Sequence, residues 1–315
     1  MFAAIARPLL VSMFALLCAL PARASDPASC RTVSFSDVGW TDITVTTAAA
    51  RLLFTALGYE TRVDRLSVPD TYKALGEGRL DVFLGNWMPS MEADLAPYRE
   101  AGSVVTVGPN LEGAKYTLAV NRAAYEGGVR SFADLVRFKD RLDGKIHGIE
   151  PGNDGNALIQ QMIDENAFGL GAFQLAESSE NGMLGQVMSA ERLGRWIVFL
   201  GWEPHPMNTR FEMRYLEGGD QYFGPDFGGA KVYSNLRKDF ARDCPNAARL
   251  VGNLRFTLDM ENRLMDEVLS GRKNRRKAAR DWMVEHPQAV EQWLAGVRTL
   301  DGRPGLEAVR EALAR

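Results

Sequence analysis

The sequence predicts an α/β protein of two lobes with a cleft between them, and three observations carry that reading. Strand-length apolar runs alternate with segments of helical period from Thr32 onward, and β-α-β order favours a sheet covered by helices. The chain has 315 residues and is 46% apolar, more than one ordinary core requires. Glycine steps at Gly218-Gly219-Asp220 and Gly228-Gly229 offer a place for the chain to return from a second lobe to the first. The predicted division is a leader at 1–24, lobe one at 25–113 and 218–315, and lobe two at 114–217. Two lobes joined by two strands make a cleft that closes on a small ligand.

The leader reads as a secretory signal peptide. Arg7 precedes an apolar run from Pro8 to Leu20, and Pro21-Ala22-Arg23-Ala24 supplies a small-x-small cleavage site. The run is too short to span a bilayer. Cys18 follows Leu17, where a lipid-attachment signal wants a small residue, so no lipid anchor is expected. Loss of Arg7 and Arg23 moves the net charge from −3 to −3 − 2 = −5. An acidic exported protein has no electrostatic reason to seek nucleic acid or anionic lipid. Cys30 and Cys244 remain; in an oxidising compartment they suggest one disulfide, the alternative being two free buried thiols.

Taken in order, Thr32–Phe35 reads as a strand, Asp42–Leu57 as a helix stopped by Gly58, and Tyr59–Val68 as a strand. Thr71–Leu80 reads as a short helix, and Asp81–Leu84 as a strand ending at Gly85-Asn86-Trp87. A helix follows over Met91–Glu100, then a strand over Ser103–Val107. A second α/β region opens at Tyr116–Val120, with a helix start at Ser131-Phe132-Ala133-Asp134, whose acid three residues after the cap suits a capping box. Lys145–Ile149 is a strand broken by Glu150-Pro151-Gly152-Asn153-Asp154-Gly155; Asn156–Glu165 and Met183–Arg192 are helical, and Trp196–Leu200 is a buried strand. From Asp239 the chain is mostly helical, and its basic run at Arg272–Arg276 reads as a solvated face. There is no internal repeat and no low-complexity segment.

Aromatic residues beside loop punctuation point to a site. Trp40, Trp87 and Trp202 each lie in a glycine-bearing step at the end of a predicted strand, and Tyr116 lies near the crossover between lobes. Residues at strand C-termini of an α/β sheet face the ligand crevice. Several rings around one point solvate a cation that offers no strong hydrogen bonds, each contributing about 0.5–2 kcal/mol. Four rings together give roughly 2–8 kcal/mol before the costs of association and closure. Asp42 is the candidate carboxylate, with capping of the following helix as its ordinary role. Asn153 is a candidate amide for a ligand hydroxyl, with a plain turn as its ordinary role.

The segments Ser36-Asp37-Val38-Gly39-Trp40-Thr41-Asp42, Leu84-Gly85-Asn86-Trp87-Met88-Pro89, Gly113-Ala114-Lys115-Tyr116, Ile149-Glu150-Pro151-Gly152-Asn153-Asp154-Gly155 and Phe199-Leu200-Gly201-Trp202-Glu203-Pro204-His205-Pro206 closely resemble those of periplasmic choline-binding proteins. These are substrate-binding subunits of ATP-driven (ABC) importers, related to the glycine-betaine-binding proteins. The resemblance runs over essentially the whole mature chain. It implies a type II periplasmic-binding-protein fold, a permease as partner, a monomer and no cofactor. By position it implies that Trp40, Trp87, Tyr116 and Trp202 box the trimethylammonium group, that Asp42 and Asn153 meet the hydroxyl end, and that Cys30 pairs with Cys244. Trp196, Trp282 and Trp293 fall outside the matched segments and read as structural.

Charge separates choline from betaine. Asp42 attracts a cation bearing a hydroxyl and repels the carboxylate of glycine betaine, so choline is the expected ligand, betaine the alternative and acetylcholine a weaker one. A secreted choline-ester hydrolase is the rival from another class. Only His147, His205 and His286 are available to it, none at metal-ligand spacing, and no Gly-x-Ser-x-Gly elbow appears.

Overall fold

Nine strands form one mixed sheet in the computed structural model, which describes residues 26–315. The predicted leader and Cys18 lie outside those residues. The strands are β1 Thr32–Asp37, β2 Glu60–Arg65, β3 Val82–Met88, β4 Val104–Asn121, β5 Lys145–His147, β6 Gln174–Ala176, β7 Val198–Glu203, β8 Met213–Tyr215 and β9 Gly229–Arg237. Their order is β2-β1-β3-β9-β4-β7-β5-β6, with β8 beside β4. At each end of the sheet the strands run parallel, β1 with β2 and β3, and β5 with β6 and β7. Between them β9 and β4 pair antiparallel. Numbering the α-helices of seven residues or more, α1 is Thr41–Ala56, α2 Val68–Gly76, α3 Glu92–Glu100, α4 Asp154–Asp164 and α5 Glu180–Arg192. The C-terminal series is α6 Pro245–Asn253, α7 Leu258–Leu269, α8 Arg275–Glu285, α9 Pro287–Trp293 and α10 Gly305–Leu313.

The expected order of elements is present, and the departures have physical causes. The two strands predicted at Ser103–Val107 and Tyr116–Val120 are one strand of 18 residues, β4. Register shifts between Thr106 and Ala114 absorb Gly108, Pro109 and Gly113 without ending the strand, as bulges do. β4 pairs with β9 over its first part and with β7 over Lys115–Val120, so it carries the sheet from one half to the other. Helix α2 starts before its predicted first residue because the Ser67 side chain accepts the Asp70 N–H and Pro69 suits the first turn. The capping box at Ser131 forms as expected, but it opens 3-10 turns over Phe132–Leu142 rather than an α-helix.

Two strands also run further than predicted. β3 continues through Gly85-Asn86-Trp87 to Met88, and β7 continues through Gly201-Trp202 to Glu203. Trp87 and Trp202 are therefore among the last residues of strands, not the first residues beyond them.

The C-terminal helices cover the β1 half of the sheet, with α7 and α8 packed on α1. Trp282 and Trp293 stack with centroids 5.7 Å apart. Trp196 lies against Phe138 at 5.4 Å, with the Arg141 guanidinium over its ring. In the basic run, Lys273 pairs with Glu267 and Asp281, Arg272 with Asp266, and Arg275 and Arg276 are exposed. Among the described residues no helix is long and apolar enough to cross a membrane.

Cys30 and Cys244 are disulfide-bonded, their Cα atoms 5.7 Å apart across 214 positions of sequence. The bridge ties the start of β1 to the segment entering α6. Closing so long a loop restricts the unfolded chain, a contribution of about 2–4 kcal/mol. Replacing both cysteines by serine is expected to lower the unfolding free energy in urea by about that amount, with the fluorescence of the folded state unchanged. An unchanged denaturation midpoint would contradict this.

Candidate functional site

The turn after β1 builds one wall of a cavity. The Asp37 carboxylate accepts the Gly39 N–H at 2.8 Å and the Thr44 hydroxyl at 2.9 Å. Gly39 has φ +109°, and a Cβ there would meet the Arg65 guanidinium at 2.1 Å, so glycine alone fits the turn. It delivers Trp40 to the N-cap of α1 and Asp42 to the first helical turn. Asp42 does not cap the helix. Its Oδ2 accepts the indole N–H of Trp87, at the end of β3, at 3.1 Å.

The facing wall comes from β4, β7 and α4. Tyr116 on β4 lies directly opposite Trp202 on β7 in the sheet register. The Tyr116 hydroxyl donates to Asn153 Oδ1 at 3.0 Å. Gly155 permits that approach, since a Cβ there would fall 2.3 Å from the hydroxyl. Asn153 is the N-cap of α4, accepting the Asn156 N–H at 3.0 Å, and its amide donates to Asp154 Oδ1 at 3.1 Å. Its side chain is thus engaged with Tyr116, the helix and Asp154.

These elements surround a small void lined by Trp40, Asp42, Trp87, Tyr116, Ile149, Asp154 and Trp202. Five of the six residues expected at the site line it. Asn153 stands behind the wall and orients two that do. Asp154 and Ile149 line it without having been singled out in the sequence. Asp154 follows Asn153 in the same loop, but an acid in the first turn of a helix is ordinarily explained by the helix dipole.

The cavity's charge is unusual. Asp42 and Asp154 are 5% and 4% exposed, and each keeps one carboxylate oxygen, Oδ1 of Asp42 and Oδ2 of Asp154, with no hydrogen-bond partner. Burial raises both carboxyls to about 7, with Glu180 adding to the rise at Asp42 and Asp94 at Asp154. Among the described residues no lysine or arginine lines the void. An apolar box with two uncompensated carboxylates is a poor place for an anion and a matched one for a cation.

Polar contacts hold the rings and close the far rim. The Trp40 indole donates to Glu150 Oε1 at 2.5 Å, across 110 positions of sequence. Trp202 lies edge-on to His205 with centroids 5.0 Å apart. His205 accepts the Met207 N–H at Nδ1 (2.9 Å) and faces Glu180 Oε1 with Nε2 (3.2 Å). Both ring nitrogens of His205 are thus engaged inside the protein.

Residues 31–285 match the family described as the substrate binding domain of ABC-type glycine betaine transport systems. The fold matches that of an ABC-transporter choline binding protein in complex with choline at 56% identity and a TM-score of 0.90, covering 91% of this chain and 100% of that one. The unliganded semi-closed conformation of an ABC-transporter choline binding protein matches at the same identity and coverage with a TM-score of 0.84. A protein of Chromohalobacter salexigens named only as ORF1 is 56% identical over 129 residues, 41% of this chain and 83% of its own.

A cation in this cavity requires the carboxylates charged. Below about pH 7 it must displace their protons, so affinity is expected to rise with pH through that range. Titration with tetramethylammonium at pH 6, in buffers of different ionisation enthalpy, is expected to report release of up to about two protons. Binding without proton release would contradict the charge assignment.

Proposed function

Since this chain belongs to the family of substrate-binding domains of ABC-type glycine betaine transport systems, we propose that it captures choline and delivers it to a membrane permease. The observation that carries this reading is the pair of buried carboxylates, each with an unpartnered oxygen, inside a box of four aromatic rings. In this proposal Trp40, Trp87, Tyr116 and Trp202 surround the trimethylammonium group, whose charge is spread over methyl groups that ring faces solvate. Asp42 and Asp154 supply the countercharge, and Asp42 also accepts from the ligand hydroxyl. Asn153 keeps Tyr116 and Asp154 in place at that end. The likeness to a choline-bound relative at 56% identity supports the same assignment.

Glycine betaine would bring a carboxylate into a cavity that already holds two. Like charges in a poorly solvated space repel by several kcal/mol, so betaine is the weaker ligand. We assign lobe one to 25–113 and 218–315 and lobe two to 114–217, with ligand held where they meet, and place the working protein in the periplasm as a monomer. No role in the proposal is catalytic.

Titration of the mature protein with choline and then glycine betaine tests the ligand; betaine binding more tightly would overturn the choice. Trp87→Ala and Trp202→Ala are each expected to weaken choline binding by about 1–3 kcal/mol, from lost cation–π and packing contacts. Wild-type affinity in both would refute the box. Asp42→Asn is expected to weaken choline more than betaine, and equal losses would remove the charge argument.

A further inference from the structure

We propose that Glu180 is a positioning residue, a latch that caps α1 from across the cleft and holds the closed form on its ligand; the proposal rests on the binding function above. The starting point is a helix without its own cap. The N-cap of α1 is Trp40, an extended residue with no capping side chain, so the first N–H groups of the helix need a partner from elsewhere. The Thr41 N–H finds one 139 positions away, donating to Glu180 Oε2 at 2.8 Å, while the Thr41 hydroxyl donates to Oε1. Glu180 is the first residue of α5, on the β7 side of the cavity, and is 5% exposed.

Three features make this a latch rather than incidental packing. Glu180 accepts from Thr41 on one side and faces His205 on the other. Thr41 lies between Trp40 and Asp42, and His205 packs on Trp202, so one carboxylate sits behind lining residues from both walls. Its charge is secured. Burial opposes ionisation, but the contacts with His205 and Thr41 outweigh it and hold the carboxyl below its ordinary value. Among the described residues, the other side-chain links between the assigned lobes are the Trp40–Glu150 bond, a bond from the Tyr222 hydroxyl to Glu165 at 2.7 Å and an ion pair between Arg210 and Asp266 at 2.7 Å. The ion pair and the Tyr222–Glu165 bond are exposed to solvent and correspondingly weak. When the cleft opens, the separated Glu180 and Thr41 are rehydrated, so the latch distinguishes closed from open more than folded from unfolded.

The test reads the two rate constants separately. In stopped-flow tryptophan fluorescence with choline, Glu180→Gln is expected to raise the dissociation rate about tenfold, the scale of a charge-assisted hydrogen bond, and to leave the association rate within about twofold. Thr41→Val is expected to act in the same direction, and the double variant to be little worse than Glu180→Gln. Glu180→Asp is expected to recover part of the residence time. An unchanged dissociation rate in Glu180→Gln, or fully additive effects of the two substitutions, would overturn the latch. Hydrogen exchange at the Thr41 amide without ligand gives an independent reading. Exchange that speeds in Glu180→Gln supports the latch even if wild-type protein fails to bind choline, which would refute the ligand alone. Unchanged exchange in that case refutes both.

Discussion

The structure depends on a negative charge that the protein does not itself compensate. Asp42 and Asp154 lie almost fully buried, each with one carboxylate oxygen left without a donor. In an apolar interior such groups either take up protons or wait for a cation. Four rings around the same void replace water without supplying hydrogen bonds. A ligand that satisfies this arrangement is positively charged, small, and covered with methyl groups rather than N–H donors. An ammonium ion with free N–H groups would lose hydrogen bonds to water that the rings do not return.

The surrounding fold is arranged to keep that charge in place. Sheet pairing sets Tyr116 opposite Trp202, and the tight turn at Gly39 sets Trp40 and Asp42. Their polar atoms are then tied off inside the protein, Trp87 on Asp42, Tyr116 on Asn153 and Trp40 on Glu150. Glu180 lies behind the wall and adds its field to Asp42, helping to raise that carboxyl. The closed cavity therefore favours a proton or a cation at Asp42 and penalises a ligand that carries its own carboxylate.

Much of this was legible in the sequence because the signals are local. Alternating strand and helix periods gave the element order, aromatic residues in glycine-bearing steps gave three of the rings, and Tyr116 was suggested by its place near the crossover. What escaped was set by contacts distant in sequence. The continuity of β4 depends on pairing with β9 and β7, which lets Gly108, Pro109 and Gly113 sit inside a strand. Asp154 looked like an ordinary first-turn acid, and only burial reveals its unpaired oxygen. Asn153 was legible as a site residue, yet its partners are Tyr116 and α4. Glu180 could not be connected to Thr41 from sequence, since 139 positions separate them. The pairing of Cys30 with Cys244 spans still more chain, yet cysteine count suggested it, because the expected mature chain keeps only those two.

The measurement that bears most directly on the central claim compares choline with its neutral isostere, 3,3-dimethyl-1-butanol, by calorimetry at pH 8. The two have nearly the same shape and the same hydroxyl, and differ in the charge of the quaternary centre. If buried carboxylates and ring faces together demand a cation, choline binds at least about 100-fold more tightly, a difference of about 2.7 kcal/mol. Comparable affinities would mean that shape and apolar burial account for recognition, and would contradict the role given to Asp42 and Asp154.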